Sequence, residues 1–266
     1  MHVSRIGLTA LKGTRHTDRP SVDLTLDGPV GDRVFCLVDR ARSRVVRTVE
    51  NPSLLRVTVV WEDGVLTARL PAATASGVPV GSGRALEVDY WGRPVAVEAV
   101  EGPWAAALSR HLGYDVVLAR PAGRSDRVVY GGAVSLVTTS SLRWLAEATG
   151  APVEEASFRA TFTVDTGDRP AHVEDGWAGR RLRLGDAEVE VLGGLPRCGL
   201  VDLDPRRGER ASTALRTLGR HRRTPDGIPF GVDAMVTRAG RVRRGDPCEL
   251  VGAAADAVER VTAGRG

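Results

Sequence analysis

The 266 residues carry 26% charged and 42% hydrophobic side chains, the composition of an ordinary globular protein with ample material for one large or two modest cores. No apolar stretch reaches membrane-spanning length, and the opening Met1-His2-Val3-Ser4-Arg5 has no signal-peptide core; the expectation is a cytoplasmic protein without membrane contact. The net charge of +4 comes almost wholly from arginine, Lys12 being the only lysine, and no basic run is interleaved with aromatics, so nucleic acid is not an expected partner.

Short alternating strands fill the first half. Residues 3–8, 22–26, 33–38, 55–60, 65–70 and 86–90 place apolar side chains at every second position, the period of half-buried strands. Turn residues separate them at the spacing of a barrel or sandwich. Glu62-Asp63-Gly64 is the clearest hairpin turn, because Asp-Gly tolerates positive φ. Gly102-Pro103-Trp104 opens the first helix with proline in its first turn. Trp104, Leu108 and Leu112 share its core face, while His111 falls off that face. The polar stretch 120–127 has no periodicity and reads as a linker.

Beyond it, 133–137 reads as a strand running into Thr138-Thr139-Ser140-Ser141 and a helix over 142–149 that ends at Gly150. Hydroxyls at a helix start cap free N–H groups, and the same N–H groups attract anions. Residues 188–192 read as a strand leading into a Gly193-Gly194-Leu195-Pro196 turn. A helical stretch near 214–218, a strand over 232–236 and an amphipathic helix over 253–261 complete the reading. Arg216, Arg220, His221, Arg222 and Arg223 form a solvated helix end and loop.

Cys36, Cys198 and Cys248 stand far apart and form no CxxC pair, so neither a zinc knuckle nor a cysteine-bound iron–sulfur cluster is expected. Cys198 lies in Leu195-Pro196-Arg197-Cys198-Gly199-Leu200-Val201-Asp202-Leu203-Asp204-Pro205, which sets a thiol beside a guanidinium. A thiolate is a soft metal ligand and a nucleophile, and a neighbouring cation favours it; the alternative is a small buried hydrophobe at a strand end. Three further segments carry candidate chemistry: Ala10-Leu11-Lys12-Gly13, Gly28-Pro29-Val30-Gly31-Asp32-Arg33, and Ser157-Phe158-Arg159-Ala160-Thr161-Phe162. Each offers a cation, and arginine's fork suits phosphate.

In this order the segments resemble the MOSC domain superfamily (molybdenum cofactor sulfurase C-terminal domain), and within it the amidoxime-reducing component, YiiM- and YcbX-like branch. Arg244-Gly245-Asp246-Pro247 is similar to the close of that barrel, and residues 157–164 resemble one of the family's strands. The resemblance implies a mainly β fold with a few helices (α+β): an N-terminal β-barrel domain over 1–120, then a MOSC β-barrel domain over 121–266. It implies molybdenum cofactor (Mo-molybdopterin), ligated by Cys198 and held by Lys12, Arg33, Thr138, Thr139, Arg159, Thr161 and Arg197. Gly13 replaces a hydroxyl residue and Thr161 an asparagine of the relatives. Asp202 or Asp204 would supply a proton, with Asp204, before a proline, the better turn residue; Trp177 is a packing anchor. The implied activity is reduction of an N-hydroxylated or N-oxide small molecule. Electrons would come from a ferredoxin, a flavodoxin, or a cytochrome b5-like protein with its reductase. The alternatives are a persulfide carrier built on Cys198 and a non-catalytic carrier of the cofactor.

Overall fold

A computed structural model describes residues 1–123, 128–129 and 131–253. The architecture is mostly β, as the alternating pattern requires, with three α-helices among the described residues: α1 (Trp104–Leu112), α2 (Thr139–Thr149) and α3 (Ala214–His221). Residues 124–127 of the expected linker and 254–261 of the expected last helix lie outside the described residues; Arg120 and Pro121 close the strand Val116–Pro121, and Ala253 closes the strand Cys248–Ala253.

In the first half, Val80–Tyr90, Arg93–Glu101, Val116–Pro121, Cys36–Asp39 and Arg44–Val45 form a closed five-stranded barrel. The parallel pairing of Asp89 with Arg44 completes the ring. Its wall packs Cys36, Val38, Val88, Val95 and Val97 inward. Thr58–Glu62, Val65–Leu70 and Ala73–Gly77 form a separate three-stranded sheet. Its hairpin turns at Asp63 and Gly64, both at positive φ (50° and 77°), the geometry that a two-residue turn needs to match strand twist. Helix α1 buries Trp104 and Leu108 beside this sheet and stops at Gly113, whose left-handed φ of 80° ends it. The expected strand over 55–60 begins late: Pro52–Arg56 is a 3-10 turn that buries Leu54 and Leu55, since proline at its start presets φ and needs no N–H partner.

The second half is one curved eight-stranded sheet in the order Cys248–Ala253, Arg180–Leu184, Ala187–Pro196, Pro229–Arg238, Val134–Thr138, Phe162–Asp165, His2–Leu8, Thr17–Asp18. The chain's first strand therefore pairs with Phe162–Asp165 of this sheet rather than with the barrel that follows it. A bridge from His2 to Pro247 curls one edge back toward the other. Ser21–Thr25 likewise pairs with Gly240–Arg243. Val3, Ile6 and Leu8 share one core with Leu136, Phe162, Trp177, Val189 and Val232.

Two local expectations are corrected. Gly193 and Gly194 are not a turn: the strand Ala187–Pro196 runs through them against Pro229–Arg238, with register shifts on either side. Glycine weakens a strand without stopping it, and pairing along the long neighbour carries the chain past. Residues 157–161 are not extended either. Glu155–Phe158 is a 3-10 turn ended by Arg159 at φ 52°, and the strand starts at Phe162.

Candidate functional site

The register shifts in Ala187–Pro196 deliver Arg197 and Cys198 out of the sheet, and Cys198 is exposed while Cys36 and Cys248 are buried. Its thiol opens on a cavity of about 460 Å³ whose wall includes Lys12, Arg33, Arg159, Arg197 and Cys198. Five of the candidate residues, read from four separate segments, thus meet at one place. Burial pushes the thiols of Cys36 and Cys248 up to about 12, so neither is a thiolate at neutral pH.

Each cation reaches the cavity for a local reason. Arg33 adopts left-handed backbone (φ 49°) after Gly31 and Asp32, with its N–H donating to Thr9 O at 2.6 Å. Asp32 accepts from the Thr9 N–H (3.0 Å) and pairs with the Arg33 guanidinium. The other end of that guanidinium donates to Arg159 O at 3.1 Å and meets His16 Nε2 at 3.2 Å. Burial, then Arg159 and Arg33, lowers His16 well below its ordinary pKa; a neutral ring accepts that N–H through Nε2 and carries its own proton on Nδ1.

Lys12 follows a bridge between Leu11 and Phe35, its N–H donating to Phe35 O at 2.8 Å. Its Nζ stands 5.0 Å from the centre of the Tyr90 ring. Burial, followed by Arg33 and Arg159, brings Lys12 down to about 7. Burial and Arg33 bring Arg159 down to about 9, which leaves it charged at neutral pH. Among the described residues neither the Lys12 ammonium nor the Arg159 guanidinium has a hydrogen bond or an ion pair. Asp32 is the one carboxylate acting on either of them, so the cluster carries excess positive charge.

Arg197 is a strut. Its Nε donates to Phe230 O (2.7 Å) and Nη1 to Phe158 O (2.9 Å), while Nη2 is buried without a partner. Its guanidinium stands 5.5 Å from the centre of the Phe158 ring, and burial lowers it to about 10. The cysteine segment is thereby tied to two neighbouring elements.

The remaining sequence candidates sit behind the wall. Thr161 is fully buried; its Oγ1 accepts from Ser135 N at 3.1 Å, and its own N–H donates to Ser135 Oγ at 3.2 Å. Ser135, which lines the cavity, was absent from the sequence candidates. Strand alternation held its signal, since Val134 and Leu136 face the core and Ser135 must face the other way. Gly13 is at φ 95°, and a Cβ there would stand 2.7 Å from Thr48 Oγ1. The hydroxyl lacking at position 13 is matched by one on the cavity wall from Thr48, 35 residues away.

Thr138 and Thr139 do not line the cavity. Thr138 caps α2 by accepting from the Ser141 N–H, and with Ser141 it donates to the fully buried Glu174 carboxylate at 2.7 Å. Thr139 donates to Asp165. Asp202, also outside the wall, accepts from the Leu215 N–H at 2.8 Å in the first turn of α3 and pairs with Arg210. Asp204 accepts from the N–H groups of Arg206 and Arg207 and so closes a turn. Among the described residues, no three His, Cys, Asp or Glu side chains converge as a metal cage, and Cys198 is the one soft donor on the cavity wall.

A protein-family model, the MOSC domain, matches residues 114–249, over half of the chain. The protein belongs to the MOSC domain family. Solved structures similar to this chain include the YUAD protein from Bacillus subtilis, 12% identical over 93% of both chains with a TM-score of 0.45. YiiM from Geobacillus stearothermophilus is 16% identical over 46% of this chain, at a TM-score of 0.35, and the match covers 55% of that protein's length. YiiM from Escherichia coli is 18% identical over 47% of this chain and 57% of its own, at a TM-score of 0.31. No curated protein matches the sequence. The matched MOSC region contains Arg159, Arg197 and Cys198, whereas Lys12 and Arg33 enter the same cavity from outside it.

Proposed function

We propose that this MOSC-domain chain holds molybdenum cofactor in the cavity and reduces N-hydroxylated or N-oxide compounds with electrons from a separate redox protein. The observation that carries the reading is an exposed thiol sharing one cavity with the basic side chains of Lys12, Arg33 and Arg159, among which Asp32 is the one acidic neighbour in the described residues. The donor set fits the group: one soft sulfur for the metal, Lys12, Arg33 and Arg159 for the phosphate and pterin oxygens, and an unpartnered Arg197 Nη2 at the wall.

When bound, the molybdenum supplies the two-electron redox chemistry that takes oxygen from the substrate. The chain's own residues bind and orient. Arg33, fixed by Asp32, His16 and the Arg159 carbonyl, presents its guanidinium in one pose. Arg197 holds the cysteine segment through two backbone carbonyls. Phe158 and Tyr90 give the wall apolar surface that excludes water. In this reading the chain falls in the amidoxime-reducing, YcbX-like branch, with Lys12 and Arg33 reaching the cavity from outside the matched MOSC region. The proposed reduction consumes two electrons, which a ferredoxin, flavodoxin or cytochrome b5-like protein with its reductase would supply, and three free thiols suit the cytoplasm.

Metal analysis tests the reading. Protein purified from a host that makes the cofactor should carry near-stoichiometric molybdenum, and Cys198→Ala should carry none. Loaded protein given a chemical reductant should convert an amidoxime to an amidine. Cyanide-releasable sulfur without molybdenum would favour a persulfide carrier on Cys198, and bound cofactor without turnover a storage role.

A further inference from the structure

The chain uses arginine wherever it needs a cation, with one exception: of its 37 basic residues only Lys12 is lysine. That residue stands in the cavity wall with Arg33 and Arg159. Arginine would supply the same charge with more donors but holds its proton more firmly: in this cavity Arg159 comes down only to about 9, whereas Lys12 comes down to about 7. Burial beside other cations is the setting in which lysine amines become neutral.

We propose that Lys12 is the proton-coupled member of this anion site, neutral in the free protein and taking up one proton when a sulfate- or phosphate-type dianion seats against Arg33 and Arg159. The groups facing it are Arg33 and Asp32 from the loop before Cys36–Asp39, Arg159 from the end of the 3-10 turn, Cys36 from the barrel, and the Tyr90 ring. The two guanidiniums disfavour the ammonium, and Asp32, already paired with Arg33, offsets them only in part. Cys36 is protonated and adds no charge at neutral pH. A dianion cancels the repulsion from both guanidiniums and so restores the ammonium, which then holds the anion in turn. The free amine at about 7 sets the pH at which this coupling begins. Above it, each unit of pH weakens anion binding by up to tenfold, because each binding event must collect a proton.

This inference rests on the cavity being an anion site, the part of the proposed function that needs no metal. Because the chain has a single lysine, ¹³C-lysine labelling gives one side-chain signal with no assignment problem. Full-length protein from a host unable to make the cofactor is titrated with and without sodium sulfate, which keeps its charge over pH 6–9. The expected midpoint is near 7 without sulfate and more than one pH unit higher with it. Calorimetry in buffers of different ionisation enthalpy should show proton uptake approaching one per sulfate at pH 8. Between pH 6 and 8, below the value of about 9 at which Arg159 begins to lose its proton, Lys12→Arg should bind sulfate with an affinity nearly independent of pH and with little proton uptake. A free midpoint near the ordinary lysine value of about 10, sulfate that leaves the midpoint unmoved or does not bind, or proton uptake that survives in Lys12→Arg would each overturn the inference. Loss of the molybdenum reading would show in the metal analysis and leave these titrations unchanged.

Discussion

Two places in this molecule gather positive potential, and the chain treats them differently. At the N-terminus of α2, Thr138 and Ser141 converge on Glu174, a carboxylate supplied from 33 residues beyond Ser141 and buried out of water. At the cavity, Lys12, Arg33 and Arg159 converge with Asp32 as their only acidic neighbour among the described residues. A helix start and a cation cluster both want an anion. Where the chain provides one the feature is structural; where it does not, the repulsion is stored and a ligand can relieve it. The contrast also separates the hydroxyl candidates from the cationic ones: Thr138 and Thr139 are occupied by Glu174 and Asp165, and the cations are available.

The largest expected effect breaks the first place. Glu174→Ala strands two buried hydroxyls and should lower stability by about 3 kcal/mol, read from the midpoint of urea unfolding; a change under about 1 kcal/mol would mean the helix start needs no internal anion. At the second place the sign reverses. Arg159→Ala removes a repelled cation, so stability should hold within about 1 kcal/mol or rise, while sulfate affinity of the metal-free protein drops about tenfold. Substantial unfolding with unchanged sulfate binding would make Arg159 structural.

The pH dependence sharpens the comparison. Lys12 holds its proton to about 7 in the native chain and to about 10 when unfolded. Between those values the unfolded chain binds more protons, so this group makes stability rise with pH; below about 7 the native amine must charge and the gain is gone. Lys12→Met should flatten the rise in metal-free protein. The smallest effect is at Cys198. The exposed thiol contributes little packing, so Cys198→Ala should change stability by less than about 0.5 kcal/mol. At pH 8 iodoacetamide should label Cys198 in native protein and reach Cys36 and Cys248, both pushed up to about 12, only after unfolding.

Much of this was legible before any fold was known, where the signal was local. Alternation marked most strands, Asp63-Gly64 marked the hairpin, and Gly150 ended α2 at φ 69°. Lys12, Arg33, Arg159, Arg197 and Cys198 could be named because charge and thiol chemistry belong to single residues. Local rules failed where a neighbour outweighed them. The long partner Pro229–Arg238 carried a strand through Gly193 and Gly194, and the backbone turns at Glu155–Phe158 rather than extending. His16, Thr48 and Ser135 were missed: alternation turns Ser135 away from the core, but nothing at these positions tells a polar side chain facing a cavity from one facing water.

By itself, then, the sequence determined a mainly β chain, the identity of its reactive side chains and their assignment to separate segments, because period and chemistry are properties of short stretches. Only the tertiary structure decided that His2–Leu8 joins the second sheet and that Lys12 and Arg33 face Arg159 and Cys198. It alone decided that Glu174, rather than a ligand, fills the start of α2. Those outcomes depend on contacts between residues over a hundred positions apart, or on which carboxylate arrives at which cation, and no window of sequence contains both partners.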